Sequence, residues 1–370
     1  MRFLILNTDY PEFLRELYAS HPTLHMQPYA EQTRVRYDTL FGLADFYSSH
    51  LRTLGHEAWD IYVNNEFTQK AWAHEHGIRI DGERWELQLR RGIVPWLSRR
   101  STWFSEILSK QIAHYRPDVL VNLAVDGIDG RLLKESKPHV RLLIGQHAAP
   151  LPKGEDFSCY ELLLSSLPNF VEYFQKLGLR AKPFRLAFEP RVLNRLKTSA
   201  TKTQVSFVGS LSSNHQSRRR LLEHVCIRPD VEVWGSGAES LPEDAWARRR
   251  HKGKAWALEM YQILHNSRIS LNHHIDVAEH YANNMRLFEA TGVGTLLLTD
   301  SKTNLAEMFE PGREVVAYHT LEECTELIDY YLEHETEREA IARAGQQRTL
   351  REHSYYHRMQ ELLDVVNSYV

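Results

Sequence analysis

Cysteine and long apolar runs are scarce in this sequence. Its three cysteines, Cys159, Cys226 and Cys324, are odd in number and far apart, which argues against a disulfide framework and matches no zinc-site spacing. We therefore predict a reducing compartment, the cytoplasm. No apolar run approaches the ~18–20 residues of a membrane span, and the apolar start at residues 2–7 is too short for a secretory signal. No transmembrane segment is predicted.

An excess of charge of one sign is also lacking. Lys and Arg number 45 and Asp and Glu 48, for a formal net charge of -3. A chain so close to neutral gives no electrostatic reason to expect nucleic acid or a membrane surface as its main partner. Hydrophobic residues make up 42% of the 370 residues, which is enough to build cores in roughly two domains.

Short buried runs alternate with longer amphipathic segments, which is typical of parallel α/β domains. The runs predicted as strands are 2–7, 56–63, 119–124, 140–145, 160–165, 183–186, 205–208, 231–234, 268–271 and 295–299. The segments predicted as helices include 40–54, 169–177, 218–226, 255–265 and 284–291. Residues 190–203 are polar and are interpreted as a linker, so we predict two consecutive doubly wound domains.

The segment after the predicted strand 205–208 has features of a phosphate-binding loop. Gly209 allows a tight turn, Ser210 begins a polar stretch, and Arg218 and Arg219 lie on the helix behind it. A helix N-terminus offers free N–H groups and a positive dipole end, and arginine binds phosphate oxygens well. We predict that this loop and one of the arginines bind a phosphate or diphosphate. The alternative is that the arginines form a solvated helix face.

A second candidate site lies around the predicted helix 284–291. Arg286 and Glu289 are three residues apart and project from one helical face, where the arginine could contact phosphate and the glutamate a ribose. Asn284 is either a third ligand contact or a helix cap. The alternative for the Arg286–Glu289 pair is an exposed salt bridge, worth only ~0.2–0.5 kcal/mol.

Metal ligation finds little support in the sequence. Five potential ligands crowd one loop, namely His273, His274, Asp276, Glu279 and His280. Their spacing matches no defined metal site, and we predict no metal; the alternatives for this loop are a contact with the donor and an ordinary polar loop.

A dinucleotide fingerprint is missing as well. Gly235 and Gly237 follow a predicted strand, but Ser240 stands where the third glycine or an alanine is expected. The first strand–helix turn, NTDYPEF, contains no glycine. We therefore do not expect redox chemistry.

The run ISLNHHIDVAEHYANNMRLFEATGVGTLLLTD resembles the donor-binding segment of bacterial GT-B glycosyltransferases. The nearest similarity is to the CgeB-like group, related to glycosyltransferase group 1. Their N-x-R-x-x-E-A pattern is occupied here by Asn284, Arg286, Glu289 and Ala290. The opening VSFVGSL and the charged helical tail also resemble this family. The resemblance covers roughly residues 200–370, whereas the first half matches only in its alternation of strands and helices.

The resemblance implies an α/β GT-B fold, in which two Rossmann-like domains face a central cleft. It implies an acceptor domain over 1–190, a donor domain over 191–353 and a last helix, 354–370, that crosses back to the first domain. The implied enzyme moves a sugar from a nucleotide-diphosphate donor and needs no cofactor and no metal. The acceptor hydroxyl is unidentified and could belong to a glycan, a lipid-linked glycan, a protein or a small molecule.

The resemblance also implies roles for single residues. Glu289 corresponds to the family's ribose-binding glutamate, and Arg218 or Arg219 to its phosphate-side arginine. Tyr281 stands where the first carboxylate of the family's E-x7-E motif is expected, so a retaining or inverting outcome stays open. The departure also keeps an alternative open: a GT-B protein of another activity, such as a sugar-nucleotide epimerase or phosphorylase, or a non-catalytic nucleotide-sugar-binding subunit.

Candidates for the acceptor side follow predicted strands of the first half. His147 follows the strand 140–145, and its ordinary pKa suits a base that takes a proton from a hydroxyl. Asp126 follows the strand 119–124 and has the same topological position. The polar and aromatic stretch 21–37 is long for a connector and is predicted to shape the acceptor pocket.

Overall fold

The computed structural model describes residues 1–80, 83–88, 96–151, 156–200, 202–212 and 215–369. The chain divides into two compact units. The first unit comprises Met1–His147, Leu151–Leu164 and Val365–Val370, and the second comprises Ala148–Pro150 and Ser165–Asp364. The domain bounds at residues 190 and 353 stay a prediction. Residue 201 of the predicted linker and residues 213–214 of the predicted phosphate-binding loop lie outside the described residues.

The first unit is built on a parallel sheet. The strands up to residue 165 are β1 (Arg2–Asn7), β2 (Glu57–Tyr62), β3 (Glu83–Gln88), β4 (Trp96–Ser101), β5 (Val119–Asn122), β6 (Leu142–Gln146) and β7 (Leu162–Ser165). Five of them pair in the order β2-β1-β5-β6-β7, all in parallel. Their residues are almost continuously buried, as expected of a parallel sheet covered on both faces. β3 and β4 form an antiparallel hairpin that the sequence did not predict.

Six helices accompany this sheet within the described residues. They are α1 (Pro11–Ser20), α2 (Tyr29–Asp38), α3 (Phe46–Thr53), α4 (Glu66–Glu75), α5 (Trp103–Tyr115) and α6 (Gly130–Ser136). The helix predicted over 40–54 begins only at Phe46, because Leu40, Gly42 and Ala44 have left-handed φ angles of 55°, 60° and 40° that an α-helix does not contain. The prediction of a long connector at 21–37 was also wrong, since most of it forms α2.

The second unit contains another parallel sheet. The strands after residue 165 are β8 (Ala181–Pro183), β9 (Thr203–Val208), β10 (Val231–Trp234), β11 (Ser267–Asn272), β12 (Leu296–Asp300) and β13 (Val316–Tyr318). The sheet has the order β10-β9-β11-β12-β13, and all its pairings are parallel. Four of these strands confirm the sequence prediction to within two residues. The strand predicted at 183–186 lies too late in the sequence, because β8 comprises Ala181–Pro183 and only the Phe184 N–H beyond it continues the pairing, with the Ser165 carbonyl at 2.8 Å.

The helices after residue 165 are α7 (Pro168–Lys176), α8 (Gln216–Val225), α9 (Trp246–Arg249), α10 (Ala257–His265), α11 (Met285–Gly292), α12 (Leu321–Glu333), α13 (Glu335–Glu352) and α14 (Tyr355–Asn367). Of these, α10, α11, α12 and α13 pack against strands of the second sheet. The core between sheet and helices is apolar and fully buried, with Val205, Phe207, Leu221, Val233 and Leu298 among its members. None of the described helices combines the length and apolar content that crossing a bilayer requires.

Phe188 joins distant parts of the second unit. Its backbone receives a hydrogen bond from Tyr355 N–H at 3.0 Å and donates one to the His353 carbonyl at 2.8 Å. Its ring covers Gly292, where an added Cβ would lie only 2.4 Å from a ring carbon. The segment before the predicted linker is therefore part of the packing of α11.

The five strands of the second sheet end at one edge, which we call the carboxyl edge. Gly209, Gly235 and His273 directly follow β9, β10 and β11, while Asp300 and Tyr318 end β12 and β13. Because loops at this edge of open α/β sheets commonly bind ligands, it positions the candidate site.

Candidate functional site

Two glycine-containing loops pack against each other at the carboxyl edge. Gly209 N–H donates to the Trp234 carbonyl at 3.0 Å, and Leu211 N–H donates to the Ser236 carbonyl at 2.8 Å. Gly235 has a φ of +138°, and a Cβ there would lie 1.9 Å from the Gly209 carbonyl oxygen. The glycine at 235 thus serves the close approach of two backbones, which explains its presence without a dinucleotide fingerprint.

Arg218 lies buried behind the Gly209 loop. Its Nη1 donates to the Ser210 carbonyl at 2.9 Å, and its Nη2 donates to the His273 carbonyl at 2.8 Å. The guanidinium also lies 5.5 Å from the centre of the Phe207 ring. Burial, and next the positive charge of Arg286, lower the pKa of Arg218 to about 10. No carboxylate of the described part of the chain lies within ion-pair distance of it, and Asp300 and Asp276 oppose the lowering of its pKa only through charge at longer range.

The neighbouring Arg219 has a different environment. Its Nε and Nη2 both donate to the Leu211 carbonyl, at 2.8 and 2.5 Å, and Nη2 also donates to Ser240 Oγ at 2.6 Å. These bonds fix the loop after β9. They also leave less of the Arg219 guanidinium available to a ligand.

Arg286 and Glu289 lie side by side on α11. Arg286 Nη1 is 2.8 Å from Glu289 Oε2, with the two side chains 12% and 6% exposed, and Arg286 Nε donates to the Val208 carbonyl at 3.2 Å. Tyr261 donates to Glu289 Oε1 over a long 3.4 Å. Burial raises the pKa of Glu289, although Arg286 and the Tyr261 hydroxyl oppose the shift. The salt bridge considered for this pair exists, but it is buried rather than exposed.

Asn284 caps α11. Its Oδ1 accepts a hydrogen bond from Leu287 N–H at 3.1 Å, while its Nδ2 donates to Asn272 Oδ1 at 2.8 Å. Asn272 in turn donates to Thr299 Oγ1 at 2.9 Å. Both functional groups of Asn284 are therefore engaged in joining α11 to the ends of β11 and β12.

A carboxylate occupies the N-terminus of α8. Asp276 Oδ2 accepts a hydrogen bond from Gln216 N–H at 3.0 Å, and Oδ1 accepts from Ser217 N–H at 3.4 Å and from the Ser217 hydroxyl. The sequence predicted that the N–H groups at the start of this helix are free to bind a phosphate. That prediction is wrong for the N–H groups of Gln216 and Ser217, which bond to Asp276. The cap anchors the loop after β11 to α8.

In the first unit, Asp126 is exposed and lines a cavity of about 310 Å³ at the ends of β1 and β5. The same cavity is lined by Asp9 and Arg36, a buried ion pair at 2.5 Å. Arg36 belongs to the stretch 21–37, and the role predicted for that stretch in shaping an acceptor pocket stays a prediction. His147 is buried just after β6, and its backbone N–H donates to the Leu164 carbonyl at 3.0 Å.

Comparisons with known proteins identify the class of enzyme. Residues 216–364 match the sequence profile of the glycosyl transferase-like family, and this match includes Arg218, Arg286 and Glu289. The chain therefore contains a glycosyl transferase-like domain. No curated protein sequence matches it at a significant level.

Solved structures similar to this glycosyltransferase support the fold. HepE of Anabaena in complex with UDP-glucose has 11% sequence identity and a TM-score of 0.60, with 100% of both chains covered. A glycosyltransferase from Rickettsia africae has 10% identity and a TM-score of 0.58, covering 100% of this chain and 98% of the other. Sucrose-phosphate synthase from Thermosynechococcus elongatus has 9% identity and a TM-score of 0.57, covering 88% and 92%. The predicted α/β GT-B fold is confirmed, whereas the CgeB-like subgroup stays a prediction.

The carboxyl edge of the glycosyltransferase also contains a polar network that the sequence did not predict. His274 Nδ1 lies 2.6 Å from Asp300 Oδ1, and Lys302 Nζ lies 3.3 Å from Asp300 Oδ2. Burial alone would raise the pKa of Asp300, but hydrogen bonding and charge from His274 hold it below its usual range. Within the described ranges, no three His, Cys, Asp or Glu side chains are grouped as metal ligands. The position of Asp300 at a strand end was the signal that could have indicated it.

Proposed function

We propose that this glycosyltransferase binds a nucleotide-diphosphate sugar at the carboxyl edge of the second sheet and transfers the sugar to an acceptor hydroxyl. The buried Arg218 carries the proposal. A buried charge is costly unless an opposite charge pairs with it, and Arg218 bonds only to carbonyl oxygens among the described residues. An anionic ligand would supply the missing charge. The similar HepE structures contain UDP and UDP-glucose, which supports a nucleoside diphosphate as that anion.

The surroundings of Arg218 suit a diphosphate. Arg286 lies close enough to lower the pKa of Arg218 through its charge, so two guanidinium groups share one region. The backbone N–H of Ser210 donates to no described residue and adds a donor next to Gly209. We propose that Arg218, rather than Arg219, contacts the diphosphate together with Arg286. Preorganised positive groups of this kind stabilise the charge that develops on the leaving diphosphate, so neither a metal nor another cofactor is required.

Glu289 is proposed to bind the ribose. Its Oε2 holds Arg286, while Oε1 has only the long contact with Tyr261. A ribose hydroxyl could therefore donate to Oε1 without disturbing the ion pair. Asn284 is proposed to act through the start of α11, which it caps, rather than through a free amide group.

For the acceptor we propose Asp126 as the base, because its exposed carboxylate lines a cavity of sufficient size for a hydroxyl-bearing group. His147 is the second candidate and is buried in the described structure. We also propose a cytoplasmic location, since the buried thiols of Cys159, Cys226 and Cys324 suit a reducing compartment.

A donor panel tests the proposal. UDP-, GDP- and ADP-sugars, together with a CMP-sugar that carries only one phosphate, are titrated by calorimetry and scored for nucleotide release. We expect binding of one diphosphate donor, little binding of the CMP-sugar, and loss of binding in Arg218→Gln. Binding that persists in Arg218→Gln would contradict the proposed site. Binding without any sugar transfer would favour a non-catalytic nucleotide-sugar-binding protein.

A further inference from the structure

A hydrogen-bond chain at the ends of β11 and β13 determines the tautomer of His273. The Tyr318 hydroxyl donates to the Asn272 carbonyl at 2.9 Å, and a hydroxyl has only one hydrogen to donate. Both 2.9 Å contacts of Tyr318 Oη are hydrogen bonds at once only when the hydroxyl donates to the carbonyl and His273 Nδ1–H donates to the hydroxyl oxygen. In a neutral imidazole, the other nitrogen, Nε2, then carries a lone pair.

The neighbouring His274 provides a contrast. Its Nδ1 bonds to Asp300, its side chain is 0% exposed, and its Nε2 is buried without a hydrogen-bond partner. The His273 side chain is 14% exposed, and no residue in the described ranges bonds to its Nε2. Burial lowers the pKa of His273; Asp300 opposes this shift, while Lys302, Arg218 and His274 add to it. The accessible Nε2 is thus an acceptor on a neutral ring.

His273 is also directly connected to the proposed diphosphate site. Its carbonyl accepts the hydrogen bond of Arg218 Nη2 at 2.8 Å. A phosphate oxygen is only an acceptor and would be repelled by the Nε2 lone pair. A hydroxyl group can donate to that lone pair, and the part of a nucleotide sugar that adjoins the diphosphate opposite the nucleoside is rich in hydroxyls.

We propose that His273 is a donor-sugar contact, with Nε2 accepting a hydrogen bond from a hydroxyl of the transferred sugar. The inference rests on the proposed function and names a residue outside the N-x-R-x-x-E-A motif. It also gives Tyr318 a positioning role, because its hydroxyl keeps the proton on Nδ1.

The test compares a nucleoside diphosphate with its sugar conjugate. UDP and UDP-glucose, or the matched pair preferred in the donor panel, are titrated into the wild type, His273→Phe and His273→Gln. A neutral hydrogen bond of this kind changes affinity about three- to tenfold. We expect His273→Phe to lower the affinity for the sugar conjugate by that factor, since only the sugar reaches Nε2. The affinity for the nucleoside diphosphate should change by less than about twofold. His273→Gln, which offers an amide oxygen, should restore part of the loss.

Other outcomes overturn the inference in distinguishable ways. If His273→Phe lowers the affinity for both ligands equally, or for neither, then His273 does not contact the sugar. The proposed function would still stand. A wild type that binds no member of the panel would contradict the proposed function itself.

A second measurement does not depend on the folding of any variant at His273. Two-bond proton–nitrogen correlations of labelled histidine report which ring nitrogen carries the proton. We expect His273 to be protonated at Nδ1 in the wild type and to lose this fixed tautomer in Tyr318→Phe. A proton on Nε2 in the wild type would overturn the proposal.

Discussion

Arg286 and Glu289 form a 2.8 Å ion pair along one face of α11, and both side chains are largely removed from solvent. Breaking a buried pair leaves an uncompensated charge, which typically costs about 3–5 kcal/mol, whereas an exposed pair at this spacing contributes only ~0.2–0.5 kcal/mol. Substitutions in this pair should therefore change both stability and donor binding. The two effects have to be separated by measuring each.

For Glu289→Ala we expect a loss of catalytic efficiency of about 100-fold or more, because a ribose contact and the partner of Arg286 both disappear. Urea unfolding should show a destabilisation of about 3–5 kcal/mol. Glu289→Gln keeps the size of the side chain and should lose less stability. Unchanged donor kinetics in a folded Glu289→Ala variant would remove Glu289 from the site.

Arg218 and Arg219 form a matched pair for a charge-conserving test. Arg218→Lys should weaken donor binding by about 2–5 kcal/mol, measured by calorimetry, since lysine cannot keep both carbonyl bonds and still face a phosphate. Arg219→Lys should change donor affinity by less than about 1 kcal/mol and act mainly on stability, because its guanidinium holds the Leu211 carbonyl. The reverse ranking would identify Arg219 as the phosphate ligand.

Gly235 and Gly253 offer a controlled comparison of backbone contact. Both have positive φ angles, +138° and +123°, but only at Gly235 would a Cβ collide with another backbone group, the Gly209 carbonyl. Gly253→Ala should cost about 1–2 kcal/mol from its conformation alone, and Gly235→Ala at least about 3 kcal/mol with weaker donor binding. Thermal unfolding of both variants checks this. If the two variants lose similar amounts of stability, then the loops that contain Gly209 and Gly235 can move apart without an energetic cost.

Asp60 should make stability fall with rising pH. It is buried and accepts hydrogen bonds from Ser48 N–H and Asn7 Nδ2, and burial raises its pKa from 3.8 to about 7. The folded chain therefore holds this proton more tightly than the unfolded chain. The resulting stabilisation is complete at low pH, shrinks from about pH 4 to pH 7 and is absent above that range.

The Asp60→Asn variant removes this titration. Its unfolding free energy relative to the wild type should rise by roughly 2–4 kcal/mol between pH 4 and pH 8, as measured by chemical unfolding at each pH. Parallel pH profiles for the two proteins would mean that Asp60 stays ionised in the folded state.

Much of the fold could be predicted from the sequence because parallel strands are continuous apolar runs. β1, β9 and β12 were found in this way. β13 was not, since its three residues give too short a signal. The helix before β2 was predicted too long because the apolar stripe continues through Leu40 and Ala44, whose left-handed conformation leaves no mark on hydrophobic periodicity.

The candidate site was predictable only where its parts are close in sequence. The spacing of Arg286 and Glu289 places them on one face of a helix, and the structure brings them together. By contrast, the bond from Arg218 to the His273 carbonyl and the cap of α8 by Asp276 join residues 55 and 60 positions apart. Such pairings depend on the order of strands in the sheet, which periodicity does not report.

The packing of Phe188 has a practical consequence for dissecting the enzyme. An expression fragment that starts at residue 191 would omit a ring that covers Gly292 and a backbone that pairs with His353 and Tyr355. Such a fragment would expose one side of α11, the helix that carries Arg286 and Glu289. A recombinant donor-binding half should therefore start upstream of Phe188, and an inactive shorter piece would say nothing about which half binds the nucleotide.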